Sequence, residues 1–424
     1  MKMRARAWCT ATAIVFLLLT VPPIFAGLAT MFQHGDMVKF HLPQINYHIQ
    51  HPLDLLHYEA SSATTPGHHF LFAWVSILFG YDSVSENTMV LRLLNVVIAL
   101  GLIVVAWMTF YRLKKDALFA TACALPLVGS NYVLTAAIWI NTDNGAMLFF
   151  ALTLFSMLFY ENRVYLAAIS VLLMVMWRQI YLPVVGALAF PVLLPGDRKK
   201  TIVRAIATVL PTVIVIGVYA SAWGGLTPGT TQLYNKFTLN LSVPLHAVAL
   251  TGLFALPYGL LLKPTFTGLD PRGRKIVLGV GVAIGLILWL IAASNHDNEM
   301  GRWGSLIWVL AKKSPGIGDK TFVVLLLAIA GATTLAAMGW RAIAERYYPI
   351  ELMMLLAYFA GYSAQVFAWQ RYIEPAIFLV IGVHCARTKE ATPRFALAGP
   401  ALMAAIFGLM SQLRIWGTLG QMFG

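Results

Sequence analysis

HGDMVKFHLPQINYHIQHPLDLLHYEASSATTPGHH, residues 34–69, is the first polar stretch in a chain that otherwise reads as membrane. Seven of the ten histidines stand in it, at 34, 41, 48, 51, 57, 68 and 69, together with Asp36, Asp54 and Glu59. Before it, residues 8–32 are apolar and long enough to span a bilayer. They follow a short basic run with Lys2, Arg4 and Arg6. The small residues of FAGLA also suit a cleaved signal peptide. The apolar run continues to Phe32, however, which favours an uncleaved anchor. On either reading His34 emerges on the non-cytoplasmic side.

Beyond the stretch, apolar segments recur at roughly 88–112, 117–138, 143–160, 164–177, 180–195 and 202–223. They continue at roughly 243–262, 276–294, 321–340, 348–369, 372–386 and 395–412. With the first, that makes about 13 crossings, two of which (164–177 and 180–195) are short enough to be a re-entrant hairpin. Only 11% of the residues are charged and the mean hydropathy is +0.75, against about 25% charged in a soluble domain. Such a surface is tolerable only where lipid replaces water. A β-barrel is excluded, because its segments alternate in polarity over about 10 residues. The expected fold is therefore an all-α polytopic membrane protein, a bundle of about 11–13 transmembrane helices, read as one domain over residues 1–424. The cysteines, Cys9, Cys123 and Cys385, lie in apolar segments and form neither a disulfide framework nor a metal spacing.

The net charge of +13 would suggest nucleic acid in a soluble protein. Its distribution points to topology instead. With a cytoplasmic N-terminus, the inside stretches are 1–7, 112–116, 161–163, 196–204, 263–275, 341–347 and 387–394. They carry 20 of the 30 basic residues, and every one of them is basic. Nucleic acid is not an expected partner. The longest outside region is 33–87. Within it, Val38, Leu42, Ile45 and Ile49 share one helical face, and His41, Gln44 and His48 the neighbouring one. Pro43 must kink or split that helix. The spacing predicts interfacial helices over residues 36–50 and 70–80.

Several polar residues on this outer side invite a chemical reading beside a plain one. Asp36 is either a general base at the mouth of a cavity or an ordinary cap. Arg178 sits between two apolar runs, where a charge needs water or an anion. It either neutralises a lipid-linked phosphate or snorkels outward. Arg371 either marks a phosphate site or pairs with Glu374 at i, i+3. Asp143 and Asp297, each at an outer helix end, serve as caps or as ligands of sugar hydroxyls. The histidines repeat no known metal spacing. Hydrogen bonding to sugar or phosphate is simpler for them, so neither a metal nor any other cofactor is expected.

Taken together these residues resemble the dolichyl-phosphate-glucose α-1,2-glucosyltransferases, a family of the GT-C class of multi-helix membrane glycosyltransferases. GDMVKFHLPQ is similar to that family's acidic residues and Phe-His-x-Pro-Gln string, through Asp36, Phe40, His41, Pro43 and Gln44. TTPGHH resembles its Thr-Thr-x-Pro-Gly segment, INTD its Tyr-Tyr-Thr-Asp string, and RQIY its Arg-Gln-Thr-Asn string. DNEMGRW resembles Asp-Asn-Arg-His-Tyr, and RYIEP resembles Arg-Tyr-Phe-x-x-Pro. The matches keep their order over most of the chain. The acidic pair is reduced to Asp36, one residue further from the Phe-His than expected, and the Asn of RQTN and the His-Tyr of DNRHY are absent.

The resemblance implies an inverting transferase. It moves a sugar, glucose in α-1,2 linkage, from a polyprenyl or dolichyl phosphate to a lipid-linked oligosaccharide, as in protein N-glycosylation. It implies Asp36 as base, with Arg371, Arg178, His68 and His69 on the donor phosphate. His41, Gln44, Asp143, Asp297 and Glu374 would bind acceptor or sugar. The implied membrane is that of the endoplasmic reticulum in a eukaryote and the inner membrane in a bacterium, with the active loops on the lumenal or periplasmic side. Other readings stay open: a mannosyl or arabinosyl transferase of the same class, a flippase for a lipid-linked sugar, or a non-enzymatic membrane subunit.

Overall fold

Without water at hand, a backbone in lipid must bond to itself, and long apolar runs do so as helices. The computed structural model describes residues 3–28, 32–56, 64–160, 163–189, 198–228, 239–365 and 367–417. His57, Glu59 and residues 190–195 of the expected hairpin lie outside them. The helices in chain order begin with α1 (Met3–Phe25), α2 (Phe32–Asp36), α3 (Leu42–Gln50), α4 (Gly67–Leu78), α5 (Met89–Lys114) and α6 (Ala117–Gly129). They continue with α7 (Asn131–Ile138), α8 (Asp143–Phe159), α9 (Val164–Trp177), α10 (Leu182–Ala189), α11 (Arg198–Trp223) and α12 (Ser242–Ala255). The last are α13 (Gly259–Thr267), α14 (Pro271–Ile291), α15 (Leu306–Lys313), α16 (Phe322–Ala344), α17 (Ile350–Tyr362), α18 (Gln370–Arg387) and α19 (Ala398–Ile415). Among the described residues the strands are limited to one small hairpin, Gly316–Ile317 with Lys320–Thr321.

Six helices (α1, α5, α11, α14, α16 and α19) are long and apolar enough to cross a membrane, or eight spans if two bent pairs count as one each. The protein is an all-helical polytopic membrane protein. The remaining five of the 13 expected crossings correspond to α8, α9, α10 and α17, which are shorter, and to α18, which carries Arg371, Glu374, His384 and Arg387. The bent pairs are α6 with α7, at 63°, and α12 with α13, at 100°. At the first break Ser130 leaves helical geometry and its hydroxyl accepts the Val133 N–H at 3.3 Å. The second break contains Pro257, which cannot supply a helical N–H.

α18 is the central element. All its residues are buried except Tyr372 and Arg387. α5, α12 and α17 pack around it, while α11 and α14 lie at the periphery with apolar residues exposed. α16 joins α12 to α14. A Cβ at Gly331 would fall 1.8 Å from the Val248 carbonyl oxygen, so α12 and α16 meet backbone to backbone. Such contact through small residues is how helices associate where lipid removes the hydrophobic drive.

The first outer loop divides at Pro43 as expected, but its polar face is buried. The segment is split at Pro43 into α2, a π-helical turn over Met37–His41 closed by Leu42 N–H to Met37 O, and α3. Pro43 has no N–H for a regular turn there. Val38 is exposed, whereas His41, Gln44 and His48 are buried against α4. The polar face turns inward because its groups find one another. His41 Nδ1 lies 2.9 Å from His69 Nε2, and Gln44 Nε2 lies 3.1 Å from His48 Nε2.

Candidate active site

Four charges from four distant segments meet at one end of the bundle. Asp36 closes α2. Asp143 opens α8. Arg178 is the single extended residue between α9 and the turn leading to α10. Arg371 lies in the first turn of α18. Arg371 Nη1 donates to Asp36 Oδ2 at 2.6 Å, across 335 residues of sequence. Arg178 Nη1 donates to Asp143 Oδ1. Tyr372 stands between the two cations. The Arg178 guanidinium lies 4.4 Å from its ring centroid and that of Arg371 4.6 Å. Arg371 Nη2 also donates to the Tyr372 hydroxyl, and its guanidinium lies 4.6 Å from the Trp369 ring. Stacking of this kind suits the planar guanidinium and holds two like charges close together.

The four charged side chains are only 9–15% exposed. Burial pushes the Asp36 carboxyl above its ordinary range, against the opposing pull of Arg371. Burial acts first on His41 too, with Arg178 and Arg371 adding to it, and brings that imidazole down to about 3. His68 and His69 are held well below their usual range, again chiefly by burial. They are neutral at pH 7 and can offer an N–H but no charge. Neither ring nitrogen of His68 has a hydrogen-bond partner among the described residues.

The turn before α4 docks this histidine group beside Arg178. The Thr65 hydroxyl donates to Val175 O at 2.7 Å, and the Thr65 N–H donates to Gln179 Oε1 at 3.0 Å. A Cβ at Gly67 would lie 2.6 Å from Met176 O, which is why the turn carries glycine there. The TTPG and RQ strings are therefore in contact. A cavity of about 10 Å³, room for one water, lies among Tyr132, Asp143, Arg178, Tyr181, Arg371 and Tyr372.

Trp177, next to Arg178, is wedged against Gly145 of α8. A Cβ at Gly145 would fall 2.2 Å from Trp177 Nε1. Gly145→Ala is therefore expected to destabilise the protein by about 1–3 kcal/mol, as overpacking does. Thermal unfolding in detergent checks this; an unchanged midpoint would mean that Trp177 swings aside freely.

Two expected site residues go elsewhere. Glu374 does not pair with Arg371. Its Oε1 accepts from the Ser130 hydroxyl at 2.5 Å and its Oε2 accepts from Gln370, because Arg371 is drawn to Asp36 instead. Asp297 forms a local clasp: Arg302 Nη2 donates to Asp297 Oδ2 at 2.9 Å, and the N–H groups of Glu299 and Met300 donate to Oδ1. The Asp297 loop borders the site, through Tyr132 O–H donating to Gly304 O at 2.8 Å and through the Trp303 ring, 5.0 Å from that of Trp369. Trp369, Tyr132 and Tyr181 are residues that reading the sequence missed, and Tyr372 entered it only as part of the RYIEP string. The signal available was Arg371 flanked by two aromatics, WQRY. Among the described residues no group of three His, Cys, Asp or Glu is arranged to hold a metal ion.

No protein-family model matches this sequence, and no curated protein matches it. Among solved structures, the chain is similar to the crystal structure of ArnT from Cupriavidus metallidurans in the apo state. The two are 13% identical with a TM-score of 0.40, over 93% of this chain and 77% of that one. It is also similar to the Archaeoglobus fulgidus oligosaccharyltransferase complex with zinc and sulfate, at 12% identity and a TM-score of 0.36. That match covers 89% of this chain and 53% of the archaeal chain.

Proposed function

We propose that this chain, working as one domain, is a membrane glycosyltransferase of the GT-C class. It moves a sugar from a polyprenyl-phosphate carrier to a lipid-linked acceptor. The observation that supports this reading is the convergence of Asp36, Asp143, Arg178 and Arg371 at one end of a membrane bundle. Two nearly buried arginines held side by side suit the phosphate of a leaving group, and a nearly buried carboxylate beside them suits a base. Glucose, α-1,2 linkage and a dolichyl carrier are the finer form of the proposal, drawn from the motif resemblance. The same resemblance suggests a role in N-glycosylation, on the lumenal or periplasmic side.

The chemistry follows from the exchange of partners on Arg371. A donor phosphate takes the place of the Asp36 carboxylate on the guanidinium, and the carboxylate is released toward the acceptor. The acceptor oxygen forms its bond to the sugar's anomeric carbon as the bond from that carbon to the phosphate oxygen breaks. Asp36 takes the acceptor's proton. The phosphate keeps the electron pair, and Arg371 and Arg178 stabilise the charge. His68 and His69 contribute neutral N–H donors.

The test is incubation of the purified protein in detergent with a panel of polyprenyl-phosphate sugars. Release or transfer of sugar is expected without a sealed compartment, and its absence with every donor would overturn the reading. The same assay gives a pH profile. Turnover requires ionised Asp36, so it is expected to fall on acidification, with a midpoint above the roughly 3.9 of an unperturbed aspartate. A rate flat down to pH 4 would remove Asp36 from the base role.

A further inference from the structure

Trp139 is the extended residue that ends α7, four residues before Asp143. Its ring is buried, and two polar side chains from distant segments meet on it. The guanidinium of Arg92 in α5, itself 2% exposed, lies 4.3 Å from the ring centroid. The ring of His34 in α2 makes a T-shaped contact, 5.0 Å between centroids.

Each of these contacts leads to one carboxylate of the site. On the first side, Arg92 Nε donates to Ile138 O at 3.0 Å. Asn95, on the same helix, donates to Ala136 O at 2.5 Å and to Trp139 O. Asn141 Oδ1 accepts the Asp143 N–H at 3.0 Å. Residues 136–143 are thus held from α5 up to the carboxylate that bonds Arg178. On the second side, His34 stands two residues before Asp36 on α2. Its Nε2 lies 3.1 Å from Glu86 Oε2. The loop that carries Glu86 is tied to α3 by Asn46, which exchanges two hydrogen bonds with Val84.

A tryptophan that only filled the core would need no guanidinium on its ring. Arg92 Nη2 and Trp139 Nε1 have no hydrogen-bond partner among the described residues. Burying such groups dry is costly, and an apolar pair of similar volume would pack the junction at less cost. What the guanidinium adds is direction. Its fork fixes the peptide at Ile138 while its plane fixes the indole. We infer that Trp139 is a positioning residue: stacked with Arg92 and abutted by His34, it couples the segment that presents Asp143 to the segment that presents Asp36. Two acids on separate segments need a common reference, because a misplacement of about 1 Å can cost a reaction 10²-fold. The catalytic consequence rests on the transferase reading; the coupling does not.

Hydrogen exchange of the full-length protein in detergent, read by mass spectrometry, tests the coupling. Trp139→Leu keeps an apolar side chain and removes both ring contacts. Exchange is expected to rise about tenfold in residues 34–41 and in residues 136–143. His34→Ala should raise it chiefly in the first segment and Arg92→Gln chiefly in the second, while α12 and α16 stay protected throughout. Trp139→Phe, which keeps a ring, should restore the wild-type pattern. A rise in Trp139→Leu confined to one segment, or spread through α12 and α16, would overturn the inference. The detergent transfer assay is the second arm. There kcat should fall about 10–10²-fold in Trp139→Leu and recover in Trp139→Phe. An unchanged kcat with both segments loosened would end the positioning role. If the wild type turns over no donor, the transferase reading falls, and the exchange pattern alone decides the coupling.

Discussion

Asp36→Asn is expected to lower sugar transfer by about 10²–10⁴-fold, the usual worth of a positioned general base. The substitution is close to isosteric. The asparagine oxygen can still accept the Arg371 N–H that Asp36 accepts at 2.6 Å. What it cannot do is take a proton from the acceptor. Asp36 lies at the end of a five-residue helix outside the membrane spans, so insertion and expression should stay at the wild-type level. Initial rates in detergent, beside the unfolding midpoint, separate chemistry from folding. Turnover near the wild-type rate would remove Asp36 from the mechanism, and Asp36→Glu should retain part of the activity.

Arg371→Ala is expected to cost about 10²–10³-fold in kcat/KM for the donor, the range for loss of one preorganised charge donor. Arg371 donates to Asp36 and to the Tyr372 hydroxyl, and it stacks on the rings of Trp369 and Tyr372. Lysine keeps the charge and loses the fork, so Arg371→Lys should restore little. The alanine variant also leaves Asp36 without its counter-ion, so a stability control belongs in the same experiment. Unchanged donor kinetics in a folded Arg371→Ala protein would make Arg371 a structural residue.

Much of this was legible because lipid imposes simple rules. A span must be long and apolar, and six helices meet that test on length and composition alone. Arg178 and Arg371 stood out because a charge beside an apolar run needs a partner. The identity of each partner was not legible. Asp143 and Arg178 are 35 residues apart and Asp36 and Arg371 335, and nothing in local spacing encodes such pairings. Helical proximity offered Glu374 as a partner for Arg371, one of two readings of that turn, but Glu374 bonds to the hydroxyl of Ser130 and the amide of Gln370. The inward turn of His41, Gln44 and His48 was missed for a related reason. Periodicity finds a polar face, but it cannot tell that the face will be satisfied by a second helix.

The balance of two carboxylates against two guanidiniums at the site has a thermodynamic consequence. Occupied by these four groups alone, the site is neutral. A phosphodiester adds one negative charge to a place that water barely reaches, and the simplest relief is the uptake of one proton by the displaced carboxylate. Donor affinity should therefore tighten as the medium is acidified, while the protonated carboxyl can no longer act as base. Saturation and turnover are then pulled in opposite directions by a single proton. Their compromise, visible as KM and kcat falling together on the acid side, would set the pH at which such an enzyme works best.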